Sequence, residues 1–141
     1  MKILTVCILN FILMTSSNCG EQKDKTEDNQ IEQKKTSVTV AEIKEISKSD
    51  KDIFVIDVRT KPEYDDGHLS FTDEQITYDS LEYYLDRLPE DKEAEIYCIC
   101  RSGRRSGIAT DYLLSEGYKN VFNIVGGIIA WNEAGFEIVT E

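Results

Sequence analysis

A cysteine that closes an apolar run and is followed within six residues by three arginines, two serines and a glycine is a thiol set up to ionise. Here the run is Glu95-Ile-Tyr-Cys-Ile-Cys100, and Arg101, Ser102, Gly103, Arg104, Arg105 and Ser106 come directly after it. If the run is a strand and a helix starts just beyond the glycine, the thiol sits in a cup of backbone N–H groups that the first helical turn leaves unpaired. Those donors, the helix dipole and the arginines all favour thiolate over thiol. Cys100 is then a nucleophile primed for anionic partners. Part of the nucleophilicity is lost with the basicity, so most of the rate has to come from positioning and charge stabilisation.

The elements that must hold this loop are readable on either side. After it, Ile108, Tyr112, Leu113 and Leu114 recur at helical spacing, and Gly117 suits the helix end. Ile53-Phe-Val-Ile-Asp-Val-Arg59 is a nearly continuous apolar run of the kind buried on both faces of a sheet. It delivers Asp57 and Arg59 to a strand's carboxyl end, where open α/β sheets form their crevice. Upstream, Thr39-Val-Ala-Glu42 has the form of a capping box before a short helix with Ile43 and Ile46 facing in. Pro62-Glu63-Tyr64 suits a first helical turn, closed by Gly67-His68-Leu69, and a brief strand is expected around Ile76. A helix carrying Leu81, Tyr84, Leu85 and Leu88 is expected after a cap at Asp79 or Ser80, with Pro89 ending it. Asn120–Val125 reads as a strand, Gly126-Gly127 as a point of close backbone approach, and a last helix runs through Trp131 toward Gly135. Strands alternating with helices predict a parallel sheet covered on both faces.

The chain has 141 residues and 40% hydrophobic content, room for one core. Its formal charge of -11 argues against a nucleic-acid partner, which needs a basic surface. Lys2 followed by the apolar run Ile3 to Met14, and then Thr15-Ser-Ser-Asn-Cys19-Gly20, is the layout of an export signal. A cysteine in that place looks like the acceptor of a bacterial lipoprotein signal. Such signals usually carry Leu three residues before the cysteine, where this chain has Ser16. The organisation expected is therefore an export signal over 1–18, a charged tether over 19–37 and a folded domain over 38–141. An exported bacterial protein, lipid-anchored through Cys19 at the periplasmic or cell-surface side of a membrane, is the expected setting, with secretion or a retained anchor as alternatives. Only Cys98 and Cys100 then stay in the domain. Their spacing suits neither an unstrained disulfide nor, with a single histidine in the chain, a metal site.

Taken together, Asp57-Val58-Arg59, Glu63-Tyr64, Gly67-His68-Leu69, Cys100 through Ser106, Gly117-Tyr118, Val121 and Gly126-Gly127-Ile-Ile-Ala-Trp131 resemble a single-domain rhodanese, a thiosulfate sulfurtransferase-like family, over roughly residues 38 to 139. The resemblance implies a five-stranded parallel α/β domain with helices on both faces and no cofactor. It implies that Cys100 takes a sulfane sulfur from thiosulfate or a persulfide and passes it on to a thiol, cyanide or an acceptor protein. By the same resemblance, Arg101 through Ser106 would form the anion-binding loop, with Asp57 and Arg59 bracing it. From the residues themselves, a lone histidine, a tryptophan packing under the last helix and a small core thiol, His68, Trp131 and Cys98 are expected to be structural, with a ligand contact as the alternative for Trp131 and a resolving thiol as that for Cys98. Where the family has a Pro-Gly-Ala turn after His68-Leu69, this chain has Ser70-Phe71-Thr72-Asp73-Glu74. Cysteine phosphatases of related fold carry an arginine six positions after the cysteine, a place held here by Ser106, so the loop is one residue shorter and better suited to a sulfur atom. The rival from another class is a persulfide carrier that serves a partner protein and turns over small molecules poorly.

Overall fold

The computed structural model describes residues 35–140; the expected export signal, Cys19 and most of the expected tether lie outside the described residues. Five strands form one parallel sheet: β1 (Ser37–Thr39), β2 (Phe54–Asp57), β3 (Glu74–Gln75), β4 (Glu95–Ile99) and β5 (Asn120–Val125), in the order β1-β5-β4-β2-β3. The helices are α1 (Val40–Ile46), α2 (Lys61–Asp65), α3 (Arg104–Ser115) and α4 (Gly127–Glu133). β4 is central, pairing Ile96 with Phe54 of β2 and with Val121 of β5.

The alternation of strand side chains divides the core into two layers. Ile56, Val58, Ile96, Cys98 and Cys100 pack with Ala109 and Leu113 of α3. Val55, Tyr97, Ile99 and Ile124 pack with Ile43 of α1 and with Ile128 and Trp131 of α4. Both faces are therefore covered, which is why β2 reads as an unbroken apolar run.

Two features depart from the sequence reading, and a third lies where that reading left the path of the chain open. β1 is a further strand, three residues long, on the sheet edge beside β5. The expected helix over Leu81 to Leu88 is instead two 3-10 turns, Leu81–Tyr83 and Leu85–Arg87, broken at Tyr84 where φ is -132°. With the break Leu81 and Leu88 are buried while Tyr84 stays 43% exposed, whereas one regular helix would carry Tyr84 on the same face as both leucines. Third, Ser70 through Glu74, which stand where the resembled family has a Pro-Gly-Ala turn, form their own hydrogen-bonded path. The Thr72 N–H donates to the Leu69 carbonyl, and Asp73 exchanges bonds with Val55 through its backbone N–H and its carboxylate. That exchange sets β3 in register beside β2.

Candidate active site

β4 ends at Ile99 and leaves Cys100 at the carboxyl end of the sheet, almost fully covered. The chain then turns through Gly103, whose φ of +98° is open chiefly to glycine, and α3 begins at Arg104. This geometry aims backbone donors at the sulfur. The Gly103 N–H donates to Cys100 Sγ at 3.1 Å, and the Ser106 hydroxyl lies 3.2 Å from it. Burial pushes the Cys100 thiol up, but the Ser106 hydroxyl and the N–H groups of Ser106, Ser102 and Gly103 outweigh it, and the thiol lies below its ordinary value. Cys98, two residues earlier on the same face, has no such cup. Burial drives it up to about 12, so it is an inert core thiol.

Each inward-pointing N–H needs the neighbouring carbonyl turned away, and α4 supplies what those carbonyls need. The Cys100 carbonyl accepts from the Ile128 N–H at 3.0 Å and the Arg101 carbonyl from the Ile129 N–H at 3.1 Å. So close is this approach that a Cβ on Gly127 would lie 2.2 Å from the Cys100 oxygen. That contact is the physical reason for the second glycine of Gly126-Gly127.

The three arginines of the loop have different fates. Arg101 and Arg104 are exposed. Arg105 is held by Glu63 of α2 through two bonds, Nη1 to Oε2 at 2.8 Å and Nη2 to Oε1 at 2.6 Å. The same carboxylate accepts from the Thr60 N–H and hydroxyl, capping α2. The Arg105 guanidinium first, with Thr60 adding to it against the opposing effect of burial, lowers Glu63 to about 2. Glu63 therefore clamps the loop from 42 residues away. Its capping role is visible in Thr60-x-x-Glu63, but nothing in the sequence ties it to Arg105.

Asp57 and Arg59 form a buried pair, with Arg59 Nε 2.9 Å and 3.0 Å from the two carboxylate oxygens and Nη2 2.6 Å from Oδ2. Arg59 also donates to the Gly67 carbonyl at 2.8 Å, and its own carbonyl accepts from Gln75. These bonds fasten the 67–75 segment to β2. His68 stacks on Tyr64 at 3.7 Å and its Nδ1 lies 3.0 Å from the Tyr64 carbonyl; Trp131 is buried and donates to the Glu137 carbonyl. A residue the sequence did not mark also reaches the loop: Asn123, in the middle of β5, donates from Nδ2 to the Gly103 carbonyl at 3.0 Å and places Oδ1 2.6 Å from Ser106 Oγ.

Comparison with known proteins follows the same residues. Positions 39–134 match the family model described as Rhodanese-like domain. A sulfurtransferase of Allochromatium vinosum is 37% identical over 89 residues, which cover 63% of this chain and 80% of that protein. A tRNA uridine(34) hydroxylase of Yersinia enterocolitica is 36% identical over 85 residues, 58% of this chain but only 24% of the hydroxylase. The solved structure of a rhodanese-like domain protein from Staphylococcus aureus superposes with a TM-score of 0.66 at 28% identity, covering 75% of this chain and 98% of that one.

Proposed function

The chain belongs to the rhodanese-like family, and from that premise we propose that it is a sulfurtransferase working through a persulfide on Cys100. The Cys100 thiolate attacks the outer, sulfane sulfur of thiosulfate. A new S–S bond forms, the original S–S bond breaks, and sulfite leaves with its electron pair. An acceptor thiolate or cyanide then attacks the outer sulfur of the persulfide, and the Cys100 thiolate departs unchanged. The two half-reactions predict ping-pong kinetics. A persulfide in place of thiosulfate leaves a thiolate rather than sulfite.

The observation that carries this reading is the Cys100 sulfur in its cup of N–H donors, with Gly103 N 3.1 Å away. A cup that favours the thiolate also stabilises the negative charge that shifts to the outer sulfur on loading. In this reading Arg101 and Arg104, exposed beside the cup, draw in the anionic donor. Ser102, Gly103 and Ser106 hold the sulfur, while Arg105 shapes the loop under the Glu63 clamp. Asp57 and Arg59 support it only indirectly, by holding the 67–75 segment against the end of β2. Sulfite released in one turnover tests the mechanism. One sulfite per chain from the wild type and none from Cys100→Ser supports it; release that does not depend on Cys100 contradicts it.

One observation favours the carrier reading in part. With Arg105 engaged by Glu63, fewer cations are open to a small anion than the loop sequence suggests. Fast single-turnover loading with negligible steady-state turnover on thiols or cyanide would point to a partner protein as acceptor. Export and attachment to a membrane through a lipid on Cys19 complete the proposal. Incorporation of labelled fatty acid that is lost in Cys19→Ala tests that part.

A further inference from the structure

The Ser106 hydroxyl has one proton and two neighbours that can accept it. Cys100 Sγ lies 3.2 Å from Oγ on one side, and Asn123 Oδ1 lies 2.6 Å away on the other. The orientation of the Asn123 amide is fixed by its second contact, because the Gly103 carbonyl 3.0 Å away only accepts, so the NH2 group must face it. Oδ1, an acceptor only, then faces Ser106. At 2.6 Å two oxygens need a proton between them, and Ser106 is the one that has it.

With the proton given to Asn123, Ser106 presents a lone pair to the sulfur. That suits the thiol, whose S–H donates to Oγ, so a single directed chain runs Cys100 to Ser106 to Asn123 to the Gly103 carbonyl. It does not suit the thiolate, which needs a donor. When the S–H proton leaves for solvent, the hydroxyl keeps its own proton and turns it toward the sulfur, and Asn123 Oδ1 loses its partner. We infer that Asn123 is a positioning residue that competes with the Cys100 thiolate for the single Ser106 proton, holding back ionisation while it pins Gly103. The inference concerns the proton alone and stands whatever the sulfur donor is.

The other charged and titratable groups near the sulfur are Cys98 on β4, Arg105 on α3 with Asp57 of β2 and Glu63 of α2 acting on it, and the exposed Arg101 and Arg104. None of them bonds Ser106 or Asn123, so a double-mutant comparison cancels their contribution.

The test is the pH dependence of alkylation by iodoacetamide, localised to Cys100 by peptide mapping of the full chain. The proteins are the wild type, Asn123→Ala, Ser106→Ala and the double variant. Asn123→Ala frees the hydroxyl for the thiolate, so the inflection moves down by about one pH unit and alkylation below it speeds up by about threefold, the tenfold gain in thiolate being partly offset by its lower basicity. In the Ser106→Ala background the same substitution no longer lowers the inflection; what it does there is the effect of unpinning Gly103 alone, and the comparison subtracts it. An unmoved or raised inflection in Asn123→Ala, or a lowering of equal size without Ser106, overturns the inference. Should Asn123→Ala fail to fold by circular dichroism, Ser106→Ala decides. A loss of no more than about threefold below the inflection, what is left of the hydroxyl's help once Asn123 has taken its share, supports competition, and a loss of about tenfold, with the hydroxyl serving the thiolate unopposed, overturns it.

Discussion

β4 and β5 lie side by side and end alike, each running through a glycine of positive φ, Gly103 or Gly126, into a helix. What differs is the target of the donors so exposed. After β4 they converge on the Cys100 sulfur, whereas near the start of α4 the N–H groups of Ile128 and Ile129 grip the carbonyls of Cys100 and Arg101. One turn makes an anion site and its neighbour keeps that site in shape. A cup of N–H groups cannot be self-supporting, since every donor turned inward leaves a carbonyl turned outward that needs a partner once buried.

The comparison breaks most severely at Gly127. Its φ is +56° and an added Cβ meets backbone rather than a movable side chain. Gly127→Ala is expected to cost about 4 kcal/mol in urea denaturation, and to slow Cys100 alkylation by letting the loop carbonyls shift. Gly126→Ala strains the same turn less. Its Cβ meets the Ala130 Cβ at 2.5 Å, a methyl fixed to the backbone of α4, so a loss of about 3 kcal/mol is expected by the same measurement.

Glu63→Gln sharpens the contrast by releasing Arg105 without touching either glycine. Because Glu63 is about a third exposed, solvent screens the pair and the loss at neutral pH is about 1 kcal/mol. The sign follows from a folded value of about 2 against an ordinary 4.5. The contribution is complete above about 4.5 and fades as the pH falls through 2, so wild type and variant converge in acid melts. Gly117→Ala, at φ +94° with open space around it, leaves the comparison itself untouched. There backbone strain alone costs about 1 kcal/mol, and Cys100 reactivity stays at the wild-type rate.

Much of this arrangement is legible in the sequence because it is local. The Cys100 loop, the helix after it, the buried run of β2 and the Gly126-Gly127 pair are contiguous patterns with their own periodicity or turn chemistry. What escapes is short or distant. β1 has three residues and β3 two, too few to show alternation. The segment from Leu81 to Leu88 has helical spacing, yet burial at both ends is met by two tight turns instead of one helix. Glu63 and Asn123 reach the loop across 42 and 20 residues, and a lone polar side chain inside a strand or a cap gives no sign of which distant carbonyl or guanidinium it serves.

The most direct test of the Cys100 assignment is the intact mass of the reduced protein before and after brief exposure to thiosulfate. The account predicts a gain of about 32 Da, one sulfur, that is removed by an added thiol and absent from Cys100→Ser but kept by Cys98→Ser. No gain on the reduced wild type, or a gain that survives in Cys100→Ser, would contradict it.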